Sequence, residues 1–415
     1  MRADAITRQA GLSPQCAGAG PGPGQIRPWL LVLLAAAAYA AAYAGWYART
    51  PLGRVPVLDE RENLALAEEI AGGTLPAQPF YRAMGYPLLL AGFREAGVPS
   101  AQLPLAALWL GAGLHVAGAV LAGSLAARWF NRPGAGLAGG LLFAFHPVLL
   151  HESVQRLDGA LGTALFLAGL LCLCLERESP PRWAPWAASA CWGAAVLVRP
   201  QFLTVWCVLP FLWWWRLPGR RGLAAAAGTV IVAAALLGAQ GAWQKRIGGE
   251  FRVLPWQGAY NLWSSNRPGT SGRYYSQAID LSHPGEADNP AKLESMILYA
   301  QATGKPATDI SAMNTYWRGR FFAQIRGHPL AWLKLLARKA YALLNDWEQY
   351  NNKTYAFHKS LSPWLRWNPL GWGVVLLLAV TGFFRLQAAA PRVAGATGAI
   401  AAAAAAGVLL FYVSS

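Results

Sequence analysis

Residues 101–127 read AQLPLAALWLGAGLHVAGAVLAGSLAA, without one Asp, Glu, Lys or Arg, and Arg128 follows directly. About 20 apolar residues at 1.5 Å per residue cross the ~30 Å hydrocarbon core of a bilayer, so this stretch is long enough to span one. Working outward, comparable apolar segments fall at about 28–48, 133–150, 159–175, 184–198, 200–215, 222–243, 367–384 and 393–413. The composition agrees: 55% of the 415 residues are hydrophobic and 13% are charged, against about 25% charged in an average soluble domain. The expected fold is an all-α integral membrane protein of about nine transmembrane helices, with a large extracytoplasmic loop domain between the seventh and the eighth.

A formal net charge of +16 raises the option of nucleic-acid binding, and the placement of the charges argues against it. The basic residues recur in short clusters between apolar segments: Arg27, then Arg128 with Arg132, Arg177 with Arg182, Arg216 with Arg220 and Arg221, and Arg385 with Arg392. If the N-terminus is cytoplasmic, every cluster lies on the cytoplasmic side, which is the positive-inside pattern, and Ser415 ends outside. Of the 19 acidic residues only Asp4, Glu176 and Glu178 fall on the cytoplasmic side. The chain reads as a multi-pass protein of the cell inner membrane with no nucleic-acid partner.

Residues 1–27, rich in Gly, Pro and Ala, bury too little apolar surface to order themselves and read as a disordered cytoplasmic tail. Trp29–Tyr47 exceeds a signal-peptide apolar region and reads as a retained anchor. Of the five cysteines, Cys16 lies in the tail and Cys172, Cys174, Cys191 and Cys207 lie in apolar stretches, with neither a disulfide framework nor metal spacing. Residues 28–243 carry the first seven spans, and 367–415 the last two. The stop at Phe411-Tyr412-Val413-Ser414-Ser415, on the outer edge of an apolar span, reads as a shortened or incomplete chain.

Two extracytoplasmic stretches are large. The first, 49–100, carries Leu58-Asp59-Glu60-Arg61-Glu62 and then a helical pattern with Leu64, Leu66, Ala67 and Ile70 broadly on one face, expected to lie along the membrane surface. The second, 244–366, holds a Gly/Asn/Tyr-rich part at 256–275 and a helical pattern over Ala312–Leu344 broken at His328-Pro329. Between the fifth and sixth segments, Arg199-Pro200 predicts a bend.

The spans hold no Asp or Glu away from their ends, and only His115 and His146 within them titrate near neutral pH. This counts against an ion-coupled pump, since intramembrane ionisable groups are costly and kept for function. Neither His has a metal-like partner four residues on, so packed core residues are the leading reading for both. The chemistry therefore belongs outside, where Asp59-Glu60 emerges from the first span. A carboxylate raised in pKa by burial near lipid is a base for an acceptor hydroxyl, and a solvated acidic turn is the other reading.

The stretch Asp59-Glu60, Ile70-Ala71-Gly72-Gly73, then Phe80-Tyr81-Arg82-Ala83-Met84-Gly85-Tyr86-Pro87-Leu88-Leu89-Leu90-Ala91 resembles the first extracytoplasmic loop of the GT-C superfamily of membrane glycosyltransferases. It is similar to the bacterial family 39-like branch, related to protein mannosyltransferases and lipid A aminoarabinose transferases. His146-Pro147 with Asp158, Leu197-Val198-Arg199-Pro200, Tyr260-Asn261-Leu262-Trp263 with Asn266 and Gly272, and Leu344-Asn345-Asp346-Trp347-Glu348 with Asn351-Asn352 extend the likeness from Leu30 onward. The resemblance implies an inverting transferase that moves a sugar from a polyprenyl-phosphate donor to an acceptor hydroxyl or phosphate. Within it Asp59 is the catalytic base, Glu60 the adjacent acid, and Tyr86 part of the substrate site. Tyr81-Arg82-Ala83 stands where the aminoarabinose branch has Glu-Lys-Pro, which departs from that lipid A activity and from any metal ligand there.

Such a transfer needs cationic or divalent-metal stabilisation of the departing phosphate. Arg82, Arg156, Arg267 and Arg273 are candidate phosphate contacts, each with the alternative of snorkelling to lipid headgroups. Asp158 either contacts the sugar or a metal or caps the fourth span, and Arg199 either binds phosphate or neutralises helix C-terminal carbonyls. A transporter or flippase of a lipid-linked substrate, or a non-catalytic envelope protein, is the alternative function.

Overall fold

A computed structural model describes residues 28–75, 77–174, 180–281, 289–348 and 353–413. The tail at 1–27, the cluster residue Arg177 with Glu176 and Glu178, the motif residues Asn351-Asn352, and Ser414-Ser415 lie outside the described residues. Among the described residues every regular element is helical.

The first half of the chain runs through α1 (Pro28–Tyr47), α2 (Pro51–Arg54), α3 (Asp59–Ala71), α4 (Gly85–Glu95) and α5 (Leu103–Phe130), the last led in by a 3-10 turn from Ser100. It continues with α6 (Pro133–Ala144), α7 (Pro147–Ser153), α8 (Gly159–Leu173), α9 (Ala184–Val198), α10 (Leu203–Arg216) and α11 (Gly219–Gly248). The second half holds α12 (Gln257–Ser264), α13 (Pro290–Thr303), α14 (Ile310–Gly327), α15 (Pro329–Leu344) and α16 (Tyr355–Leu361), then α17 (Trp372–Ala389) and α18 (Pro391–Leu410).

Five helices are long and apolar enough to cross a membrane: α1, α5 with its lead-in turn, α11, α17 and α18. Their bounds follow the apolar runs of the sequence to within a few residues. The α6–α7 pair makes a sixth if taken as one span, and it is bent by 58°. The bend sits where the sequence places His146-Pro147: proline cannot donate to the preceding turn, so α6 ends at Ala144 and the His146 ring accepts the Leu149 N–H at 3.3 Å to start α7. The other apolar segments fold into shorter helices, α8 and α9 of 15 residues and α10 of 14. At 1.5 Å per residue each covers about 22 Å, short of the ~30 Å of a full core.

The α9–α10 boundary falls at Arg199, extended at φ −137°, followed by the 3-10 turn Pro200–Phe202, as Arg199-Pro200 predicts. Packing of α8, α9, α10 and α11 is centred on Trp192, Trp206 and Trp213, with the Trp192 ring N–H donating to the Phe166 carbonyl and that of Trp206 to the Ser189 hydroxyl. The four described cysteines are all free.

The loop regions fold onto one end of this bundle. Helix α3 buries Glu60, Asn63, Leu64 and Ala67, one face at helical spacing, so of the expected apolar face Leu64 and Ala67 are buried, Leu66 and Ile70 are half-buried, and the polar Glu60 and Asn63 complete the buried side. Helices α14 and α15 break at His328, also as expected, while α12 and α13 were not foreseen. The outer helices share a core of Trp256, Tyr260, Tyr299, Met313 and Trp317. Glu294, fully buried beside it, accepts hydrogen bonds from the hydroxyls of Tyr260 and Tyr275 and from the backbone N–H groups of Ala278 and Ile279. Gly85 opens α4 where a Cβ would lie 2.8 Å from the Leu197 carbonyl, so the Gly-Tyr-Pro run permits the close approach of α4 to the end of α9. Gly272, at φ +66°, leaves room for the Lys339 side chain to cross beneath it.

Candidate functional site

The start of α3, the 80–86 turn, the start of α8 and the α9–α10 bend converge on a cavity of about 660 Å3. Of the residues singled out from the sequence, Asp59, Arg82, Tyr86, Asp158 and Arg199 line it. Four segments far apart in the chain thus meet there.

Asp59 begins α3, and the residue before it, Leu58, has φ +45° and ψ −121°, a conformation that L side chains rarely adopt. Such backbone costs on the order of 1–3 kcal/mol and persists where surrounding contacts hold it. Here it turns the chain so that Asp59 faces the cavity while Glu60 points inward. One nitrogen of Arg82 donates to Asp59 Oδ1 and Glu62 Oε2, both at 2.5 Å. Burial works to lower the Arg82 guanidinium, and the two carboxylates outweigh it, so it stays a firm cation well above its ordinary value. Tyr86 is 2% exposed and its hydroxyl meets no hydrogen-bond partner among the described residues, although it borders the cavity; burial pushes its phenol up.

Across the cavity the Arg199 Nε donates to Asp158 Oδ1 at 3.0 Å. Asp158 stands at the start of α8 but makes no side-chain cap bond there, so it does not act as a cap, and its carboxylate serves Arg199 instead. Gly162 lies beside this pair, where a Cβ would press on the Phe202 ring at 3.1 Å and touch the Arg199 side chain at 3.4 Å.

Glu60 departs from the expectation of a second acid in the site. It is fully buried and absent from the cavity wall. Its Oε1 accepts the Arg156 backbone N–H at 3.0 Å and lies 3.6 Å from the Arg156 guanidinium. Its Oε2 accepts from Lys353 Nζ at 2.8 Å and from the Val57 N–H at 3.1 Å. Arg156, a candidate phosphate contact, is likewise buried, with its guanidinium on the carbonyls of Gly53 and Pro104. Glu60, Arg156 and Lys353 form an internal ionic triad that ties the first loop to the ends of α7 and α16. Lys353 could not be found from the sequence, because nothing local marks it as the partner of a carboxylate some 300 positions earlier.

Arg267 and Arg273 are not among the residues lining this cavity. Arg267 donates to the carbonyls of Ser276 and Gln277 at 2.9 and 3.1 Å. In the Asn-Asp-Trp-Glu motif, Asp346 accepts the Trp372 N–H at 2.9 Å and Glu348 the N–H groups of Tyr355 and Ala356, so these acids cap α17 and α16. His115 is a buried core residue whose Nε2 donates to the Ala144 carbonyl at 3.0 Å.

A second cavity of about 950 Å3 shares Pro200, Gln201, Gln257, Asn261 and Tyr412 with the first. Its remaining wall includes Leu203, Phe251, Val253, Leu254, Leu262, Leu410 and Phe411. Glu250, Arg252, Asn314 and Arg318 also line this second cavity, so a polar chamber and a larger, mostly apolar one with a charged part share a wall of three amides, one phenol and Pro200. As for a divalent cation, Asp59 and Glu62 are both directed at Arg82 and Asp158 at Arg199, and among the described residues no three His, Cys, Asp or Glu side chains are grouped to hold a metal. The donor set does not fit one.

These features define a multi-pass helical membrane protein with a polar cavity at one end of its bundle. Comparison of the chain with protein-family models, curated proteins and solved structures returns no match.

Proposed function

We propose that the protein is a glycosyltransferase of the inner membrane, moving a sugar from a polyprenyl-phosphate donor to an acceptor hydroxyl in the cavity at Asp59. The observation that carries this reading is the pairing of chambers: one with the Asp59 carboxylate and two arginines shares a wall with a larger one of mixed but mostly apolar lining, where we place the lipid chain. The Asp59 carboxylate takes the acceptor proton, and the acceptor oxygen bonds to the anomeric carbon from the face opposite the phosphate. The carbon–oxygen bond to phosphate breaks, and the lipid phosphate leaves with the electron pair, its charge met by Arg82 and Arg199. Asp158 holds Arg199 at the cavity wall.

Radiolabelled sugar on a polyprenyl phosphate, given to the protein in liposomes with membrane-derived acceptors, tests the reading. Transfer of label to acceptor supports it. Label crossing the bilayer still attached to its carrier points to a flippase, and neither outcome leaves a non-catalytic envelope protein.

The reading includes nine spans, a cytoplasmic N-terminus and an extracytoplasmic 244–366 domain. A reporter active only outside the cytoplasm is expected to work when fused after residue 300 and to fail when fused after Arg220. The opposite pair of results overturns the orientation.

A further inference from the structure

Helix α15 presents three surfaces. Leu335, Lys339 and Ala342 are buried against the protein. Leu330, Leu333, Tyr341 and Leu344 are exposed, at 73%, 54%, 68% and 56%, and at about 100° per residue they form one stripe. Lys334 and Arg338 fall between the two, on the edge of the stripe. That edge faces a cavity of about 440 Å3 closed on its other side by the 266–270 turn, and Arg267 and His328 also line it. Among the described residues no Asp or Glu lines this cavity. The Arg267 Nε is buried without a hydrogen-bond partner among the described residues, while its terminal nitrogen is fixed by backbone carbonyls, so the guanidinium is anchored with a donor unused.

The helix is also fixed at the level of a membrane-spanning element. Lys339 Nζ donates to the carbonyls of Leu409 and Phe411 at 3.1 and 2.7 Å, the terminal acceptors of α18, and to Asn266 Oδ1 at 3.2 Å. One bond set therefore joins α15, the 266–270 turn and the end of a span. The apolar stripe and the basic cavity stand together where hydrocarbon gives way to headgroups.

We propose that this cavity binds the phosphate of an anionic phospholipid, with the acyl chains laid along the stripe of α15. An interfacial helix with apolar residues on one face and Lys/Arg beside them buries the first in the acyl boundary and offers the second to anionic headgroups. Arg267 supplies a rigid donor to the phosphate, and Lys334 and Arg338 supply point charge. The site is separate from the cavity at Asp59 and serves to seat the outer helices on the leaflet.

The test is binding by the full chain in a neutral detergent, read by native mass spectrometry with short-chain phosphatidylglycerol, short-chain phosphatidylcholine and inorganic phosphate. Phosphatidylglycerol is expected to bind at least tenfold tighter than either of the others. The double variant Lys334→Gln with Arg338→Gln is expected to bind it roughly thirty-fold more weakly, since each surface cation near an anionic headgroup contributes about fivefold. The charge-keeping pair Lys334→Arg with Arg338→Lys controls for folding and is expected to bind as the parent does. Equal binding of phosphatidylcholine shows that the cations only snorkel, equal binding of inorganic phosphate shows a free-anion site, and unchanged affinity in the double Gln variant removes the cavity as the site. Any of the three overturns the proposal.

Discussion

Glu60→Gln is expected to yield little folded protein. From the sequence, where Glu60 reads as the acid adjacent to the catalytic base, this change should be milder than Asp59→Asn if Glu60 only orients the loop. The structure reverses the expectation, because Glu60 is fully buried and is the carboxylate that faces both Arg156 and Lys353. Removing one partner of a buried ionic set strands the others, typically at a cost of about 3–5 kcal/mol, a large share of the stability of an ordinary domain. Burial already pushes the Lys353 ammonium down, and Glu60 is the main group that opposes it, so without Glu60 the lysine keeps the burial and the nearby Arg156 charge with only the Glu152 carboxylate against them. Adding Lys353→Met to Glu60→Gln removes one stranded charge and is expected to recover much of the loss. The measurement is yield of monodisperse protein and its melting temperature in detergent. A single variant as stable as the parent, or a double variant no better than the single, would sink the triad as a folding element.

The sequence made the long spans legible because lipid imposes a length and a composition, and both can be read without neighbours. Bounds for α1, α5, α11, α17 and α18 were near their runs for that reason. The segments at 159–175, 184–198 and 200–215 were harder: their apolar runs fold into helices of 14 or 15 residues, and apolarity alone does not say where a helix bends or stops short. At the site, Asp59, Arg82, Tyr86, Asp158 and Arg199 do gather at one cavity. Adjacency in sequence misled at Glu60, because successive residues at a helix start point some 100° apart, and the strained Leu58 sends one carboxylate to the cavity and the next to the core. Arg267, a candidate phosphate contact by sequence, does not line the cavity at Asp59 for a related reason. A guanidinium's partners are fixed by the fold, and the carbonyls of Ser276 and Gln277 that hold it carry no sequence signature.

Asp59→Asn is expected to abolish sugar transfer while protein level, membrane insertion and melting temperature stay close to the parent's. Asn keeps the shape of Asp but cannot take the acceptor proton, and loss of a general base costs about 100- to 10,000-fold in rate. The structure separates this outcome from misfolding better than the sequence could. Asp59 is about a third exposed, with side-chain accessibility of 31%, and its ion pair with Arg82 is duplicated, since Glu62 accepts from the same Arg82 nitrogen at 2.5 Å. Arg82 therefore keeps a counterion in the variant, where Glu60→Gln leaves buried charges with none. The same geometry sharpens the expectation for Glu62→Gln. That change leaves Asp59 as the carboxylate on Arg82 and should lower transfer by less than Asp59→Asn does. Were Asp59→Asn to retain more than roughly a tenth of parental transfer, the general-base role would fail by the magnitude such groups carry. If instead both variants lost transfer equally, the two carboxylates would be acting only by holding Arg82 in place, and the acceptor proton would have to leave through another group on the cavity wall.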